Sequence, residues 1–115
     1  MSVKDAPAVP RKGWLLLKGN NLRHALGGGW VPRFFILLSD GRLQYFASEG
    51  TPSPVGGLHL GDLMAFRRNA SLPGVEGQEV LQLVTPHQTL SLRSDVPHDI
   101  DQWETHINLV IESLC

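Results

Sequence analysis

Three short runs decide the fold: Lys12-Gly13-Trp14-Leu15-Leu16-Leu17-Lys18, then Trp30-Val31-Pro32-Arg33-Phe34-Phe35-Ile36-Leu37, then Arg42-Leu43-Gln44-Tyr45-Phe46. Each is rich in aromatic and branched apolar residues and is bounded by Gly, Asn, Asp or Ser, the pattern of strands joined by turns rather than of helices. Ser39-Asp40-Gly41 between the second and third runs is a tight hairpin signal. Gly19 to Gly29 holds four glycines, Asn20 and Asn21, with Arg23 and His24 among them, and reads as a mobile loop.

Working outward, residues 1–11 hold Pro7 and Pro10 among small and charged residues and are expected to form a flexible leader, leaving 12–115 as one domain. They lack the apolar stretch of a secretory signal. Downstream, two prolines between Ser48 and Pro54 mark a loop, and short strands are expected at about 55–60, 64–68, 79–84 and 88–93. In the last two, alternate residues are apolar, which fits strands with one buried face. The period then changes. Ile100, Trp103, Ile107, Val110, Ile111 and Leu114 make one stripe of an amphipathic helix, with Pro97 suited to its first turn and Asp99 and Asp101 where the helix dipole favours negative charge. Seven short strands imply a sandwich or barrel, and a one-striped helix must cover something.

At 115 residues the chain is large enough for one core without staples. The lone cysteine, Cys115, forms no internal bridge, which suits a reducing compartment such as the cytosol. Net charge is −1, which argues against a nucleic-acid binder with a broad basic face. The charge is uneven: residues 1–46 sum to +5 and residues 47–115 to −6. Such polarity can orient a small protein toward an anionic surface. The five histidines (24, 59, 87, 98 and 106) show no metal-ligand spacing, and Gly27-Gly28-Gly29 lacks the Lys and helix of a phosphate-binding loop. No catalytic constellation, metal site or cofactor site is expected.

In order and spacing the motifs resemble the pleckstrin homology (PH) domain family: Gly13-Trp14-Leu15, then Trp30 with Arg33, Phe35 and Leu37, then Gly41 with Leu43, Tyr45 and Phe46, and Trp103 in the closing helix. The resemblance implies a mainly β fold, a barrel of two roughly orthogonal antiparallel sheets of four and three strands, plugged at one end by the C-terminal helix. It also implies a non-catalytic adaptor that binds anionic lipid headgroups, phosphoinositides among them, at the open end, cytoplasmic and peripheral to membranes. Family members that bind such headgroups use a Lys ending the first strand, two basic residues two apart in the second and a Tyr in the third.

Strand parity tests which of these the chain keeps. Leu17 stands where the Lys is expected and Val31 replaces one basic residue, while Arg33 and Tyr45 remain, with Arg23 in the loop and Arg42 as further candidates. Lys18 is one residue out of phase and so faces the other side. Two lost charge-assisted contacts imply weak or unspecific lipid binding. By resemblance, a second pocket beside the first loop is a candidate for Lys18, Arg67 and Arg68. The outward parity of Trp14, Leu16, Phe34, Ile36 and Phe46 raises an alternative: Leu16, Phe34 and Phe46 as a surface for a protein partner or self-association, or covered by the chain's own leader and loops.

Overall fold

The computed structural model describes residues 8–18, 29–68 and 80–114. Seven antiparallel strands and one helix follow in order: β1 (Arg11–Lys18), β2 (Trp30–Leu37), β3 (Arg42–Phe46), β4 (Gly56–His59), β5 (Ala65–Arg68), β6 (Leu81–Val84), β7 (Thr89–Arg93) and α1 (Asp99–Ser113). A single 3-10 turn, Leu60–Asp62, joins β4 to β5. Every expected element is present, with ends shifted by a residue or two.

The hydrogen bonding differs from the expectation of two sheets. It is continuous through one sheet in the order β4-β3-β2-β1-β7-β6-β5. β1 is the joint: it pairs with β2 along its full length, but with β7 only through Leu16 opposite Arg93 and Leu17 opposite Leu92. A four-stranded half (β4-β3-β2-β1) and a three-stranded half (β7-β6-β5) thus meet at the short β1–β7 pairing, and this narrow joint is where a twisted sheet can bend around a core.

That core is built by alternation. Leu15, Leu17, Phe35, Leu37, Leu43, Leu81, Leu83, Leu90 and Leu92 are buried from the strands, and Ile100, Trp103, Ile107 and Val110 from one face of α1. Trp103 is fully buried, with its ring edge-on to Phe35 at 6.4 Å between centroids. The helix therefore stoppers the sheet, as its single apolar stripe requires.

Two local details position the rest. The β2–β3 hairpin turns at Gly41, whose φ of +102° lies in the left-handed region that glycine adopts without strain. The helix begins later than Pro97 suggests: His98 precedes it in a left-handed conformation, with φ 66°, and Pro97 lies before the first turn. The Asp99 amide donates to the Val96 carbonyl at 3.2 Å, closing a turn between β7 and α1.

Candidate functional site

The open end of the barrel is built by the last residues of β1, the first of β2 and the last of β3. Leu15 lies opposite Arg33 and Leu17 opposite Val31 across β1 and β2. Residues opposite one another in a ladder share a face, so Arg33 and Val31 stand on the core side with Leu15, which is 2 % exposed. Phe35 in turn lies opposite Tyr45, their rings 5.2 Å apart. Arg33 and Tyr45 are thus brought to one mouth, above a floor of Leu15, Leu17 and Phe35. Leu17 is buried and Lys18 points to the outer face, as strand parity requires.

Arg33 is half-buried, and its Nη1 donates only to the neighbouring Pro32 carbonyl, at 2.9 Å. No carboxylate pairs with it among the described residues. Tyr45 owes its position to a missing side chain: a Cβ on Gly56 would stand 2.3 Å from the Tyr45 hydroxyl oxygen. The phenol therefore lies across β4 where only glycine leaves room, and its ring packs on the core. One guanidinium and one phenol on an apolar floor can hold a phosphate or carboxylate by charge-assisted hydrogen bonds. They form a thin site, because Leu17 and Val31 contribute no donors.

A family model for the PH domain matches residues 9–112. The chain belongs to the PH domain family. Solved structures agree on the fold of this PH domain. The C-terminal PH domain of human pleckstrin superposes with a TM-score of 0.68 at 20% identity, covering 99% of this chain and 98% of that one. The PH domain of human pleckstrin homology domain-containing protein family A member 5 gives 0.63 at 21%, covering 97% and 83%. A crystal structure of sifa and skip gives 0.70 at 18%, covering 89% and 97%. No curated protein sequence matches the chain. PH domains are modules that bind lipids or proteins and are generally non-catalytic, and no helix among the described residues is long and apolar enough to cross a membrane.

Within this PH domain the other candidate residues scatter. Arg42 is at the wrong end of β3: it follows the hairpin, and its guanidinium pairs with Asp40 at 3.0 Å. Tyr45 is at the opposite end of that strand, so the structure does not bring Arg42 to the mouth. Arg23 lies outside the described residues.

Lys18, Arg67 and Arg68 are not gathered into a second pocket either. Arg67 is exposed and, among the described residues, reaches only Gln82, at 3.4 Å, across the β5–β6 ladder. Arg68 shares its face with Phe66 and Leu81 and turns inward, where it pairs with Asp101 and, at 2.6 Å, with Glu104 of the helix. Asp101 and Glu104 are one turn apart on α1, and the inward parity of Arg68 was the signal in the sequence for this clamp. The Asp101 carboxyl is held below its ordinary value, first by the hydrogen bond from Arg68 and then by His98.

A cluster that the sequence does not announce gathers around Trp30 on the outer face. Lys18 Nζ sits 5.7 Å and Arg93 Cζ 5.0 Å from its ring centroid, both at cation–π distance. Trp30 and Val80 are buried there with Leu16 packed against them. The sequence marks Trp30 only as part of a motif, because the approach of β7 to β1 that delivers Arg93 is a long-range pairing.

The outer apolar stripe also changes character. Phe34 and Phe46 face each other across β2 and β3 and are 6 % and 8 % exposed, so they present no surface to a partner. Trp14 lies edge-on over Phe34 at 5.6 Å. Leu16 is half-buried against Trp30 and Val80. Of the five outward residues, Trp14 alone is exposed, at 47 %. Phe34 and Phe46 are thus buried within the chain, Leu16 and Ile36 are half-buried, and Trp14 faces outward.

Proposed function

We propose that this PH domain is a non-catalytic membrane-docking module that binds anionic lipid headgroups, phosphoinositides among them, weakly and through the mouth that holds Arg33 and Tyr45. The observation that carries the reading is the state of Arg33. It stands on the core side at the open end, without a carboxylate partner among the described residues, beside a phenol that a glycine keeps in place. Of the seven other Lys and Arg among the described residues, Arg11, Arg42, Arg68 and Arg93 are paired with acids. Weakness follows from Leu17 and Val31, since each missing charge-assisted contact is worth about 1.5–3 kcal/mol. The basic N-terminal part of the chain and Arg23 add attraction at long range.

A second reading is favoured by the same Leu17–Val31 pair: an apolar mouth edge suits a protein ligand better than a polyphosphate. Sedimentation with vesicles of phosphatidylcholine containing phosphoinositide separates the two. Headgroup docking predicts binding at low ionic strength that fades as salt rises and is weakened roughly 10- to 100-fold in Arg33→Ala. Absence of binding at low salt, or binding indifferent to both salt and Arg33, favours the protein ligand.

A further inference from the structure

The loop between β3 and β4 carries two successive Ser/Thr-Pro dipeptides, Thr51-Pro52 and Ser53-Pro54, and a third, Thr85-Pro86, lies between β6 and β7. Such dipeptides are the recognition element of proline-directed kinases. The structure distinguishes among the three hydroxyls. Thr85 is buried, its Oγ1 donating to the Gln88 carbonyl at 3.0 Å and accepting from the His87 and Gln88 amides. Thr51 is half-buried and its Oγ1 donates to the Ser48 carbonyl at 2.8 Å. Ser53 is exposed, and its hydroxyl makes no hydrogen bond among the described residues. The exposed loop bends at Pro52 and Ser53 rather than running extended.

Its place in the fold gives the hydroxyl a consequence. The loop leaves β3 at the end that carries Tyr45 and re-enters the sheet where the Val55 amide donates to the Tyr45 carbonyl at 2.8 Å. One step beyond the Phe34–Phe46 pair, toward the loop, come Arg33 on β2 and Ala47. Ser53 thus lies in the exposed segment that joins the Tyr45 end of β3 to β4, beside Pro54, which stands over Gln44 and Gly57, on a loop that already holds the exposed acid Glu49.

We infer that Ser53 is a phosphorylation site for a proline-directed kinase, and that the phosphate turns the mouth against anionic lipids. In the reaction the Ser53 Oγ attacks the γ-phosphorus of ATP. The new O–P bond forms as the bond to the β-phosphate oxygen breaks, ADP leaves, and the hydroxyl proton passes to the kinase's base. The product carries about −1.5 to −2 charge and three strong acceptors. Carried on the loop that leaves the Tyr45 end of β3, it repels an incoming anionic headgroup. The regulatory half rests on the lipid-docking reading above. The modification site does not.

The test incubates the chain with ATP and a purified proline-directed serine/threonine kinase, counts phosphates by intact mass, and then sediments it with the phosphoinositide vesicles. The expected result is one phosphate per chain, abolished in Ser53→Ala and retained in Thr51→Ala. Vesicle affinity should fall about tenfold at low salt, with a smaller difference at high salt, and kinase-treated Ser53→Ala should bind like the untreated chain. Incorporation at Thr51 or Thr85, or none, overturns the site. A phosphorylated chain that binds as tightly as the untreated one overturns the regulation. If the untreated chain does not bind at all, the lipid reading fails and the regulatory half falls with it, while the phosphate count still decides the site.

Discussion

The two ends of this barrel use cations in opposite ways. At the plugged end, arginines are fixed by the helix: Arg11 pairs with Asp99 at 2.6 Å and lies over the Trp103 ring, and Arg68 is clamped by Asp101 and Glu104. At the open end, Arg33 stands beside Tyr45 with no acid against it among the described residues. The lesson is that the charge sums along the sequence overstate the basic field available to a ligand. Part of that charge is neutralised where it holds the fold together, and what the mouth offers is small.

The comparison breaks most sharply at the stopper. Trp103→Ala removes the largest fully buried side chain of α1 and should cost about 3–5 kcal/mol, read as a lowered midpoint in denaturant. An effect well under this would mean that α1 does not close the barrel. Next, exchanging the ends tests the division of labour. Arg33→Ala should weaken vesicle binding roughly 10- to 100-fold and leave stability within about 0.5 kcal/mol, whereas Arg42→Ala, at the far end of β3, should leave binding unchanged. Equal losses from both would show that binding follows net charge rather than the mouth.

Gly56→Ala sharpens the account of Tyr45. A methyl 2.3 Å from the phenol oxygen forces the ring to move, which should lower stability by about 1–3 kcal/mol and reduce vesicle affinity as well. Tyr45→Phe, which keeps the ring, should lower affinity alone. The smallest effect concerns the clamp. Because Asp101 has its folded-state pKa depressed from 3.8, its contribution to stability is present above that value and is lost as pH falls through the folded value. Asp101→Asn should therefore flatten the lowest part of the acid-unfolding curve, followed by circular dichroism, and leave the neutral-pH pH dependence unchanged.

Most of the fold was legible because it rests on alternation. Counting by twos from Leu15 places Leu17, Arg33, Phe35 and Tyr45 inside and Lys18 outside, and the structure agrees at each. The apolar stripe of α1 was equally plain. What escaped the sequence depends on long-range pairing. Parity says that Phe34 and Phe46 leave the inner face, but whether they meet water depends on neighbours across three strands, and they are buried. Arg42 has the residue type of a headgroup ligand, but its distance from the mouth follows from the hairpin, with β3 running back from Asp40 toward Tyr45. The Arg67-Arg68 pair looks uniform in sequence and splits in space because neighbouring strand residues face opposite ways. Trp30 between Lys18 and Arg93 needed the β1–β7 joint, which no local pattern encodes.

The most direct measurement is a two-dimensional amide NMR titration of the whole chain with small phosphoinositide-containing bilayers at low salt. Docking through the mouth predicts shifts and broadening concentrated at Leu17, Val31, Arg33, Tyr45 and the residues 47–55, with Arg42, Arg68 and α1 unmoved. Changes centred on α1 or on the Arg42 hairpin, with Arg33 and Tyr45 unaffected, would contradict it.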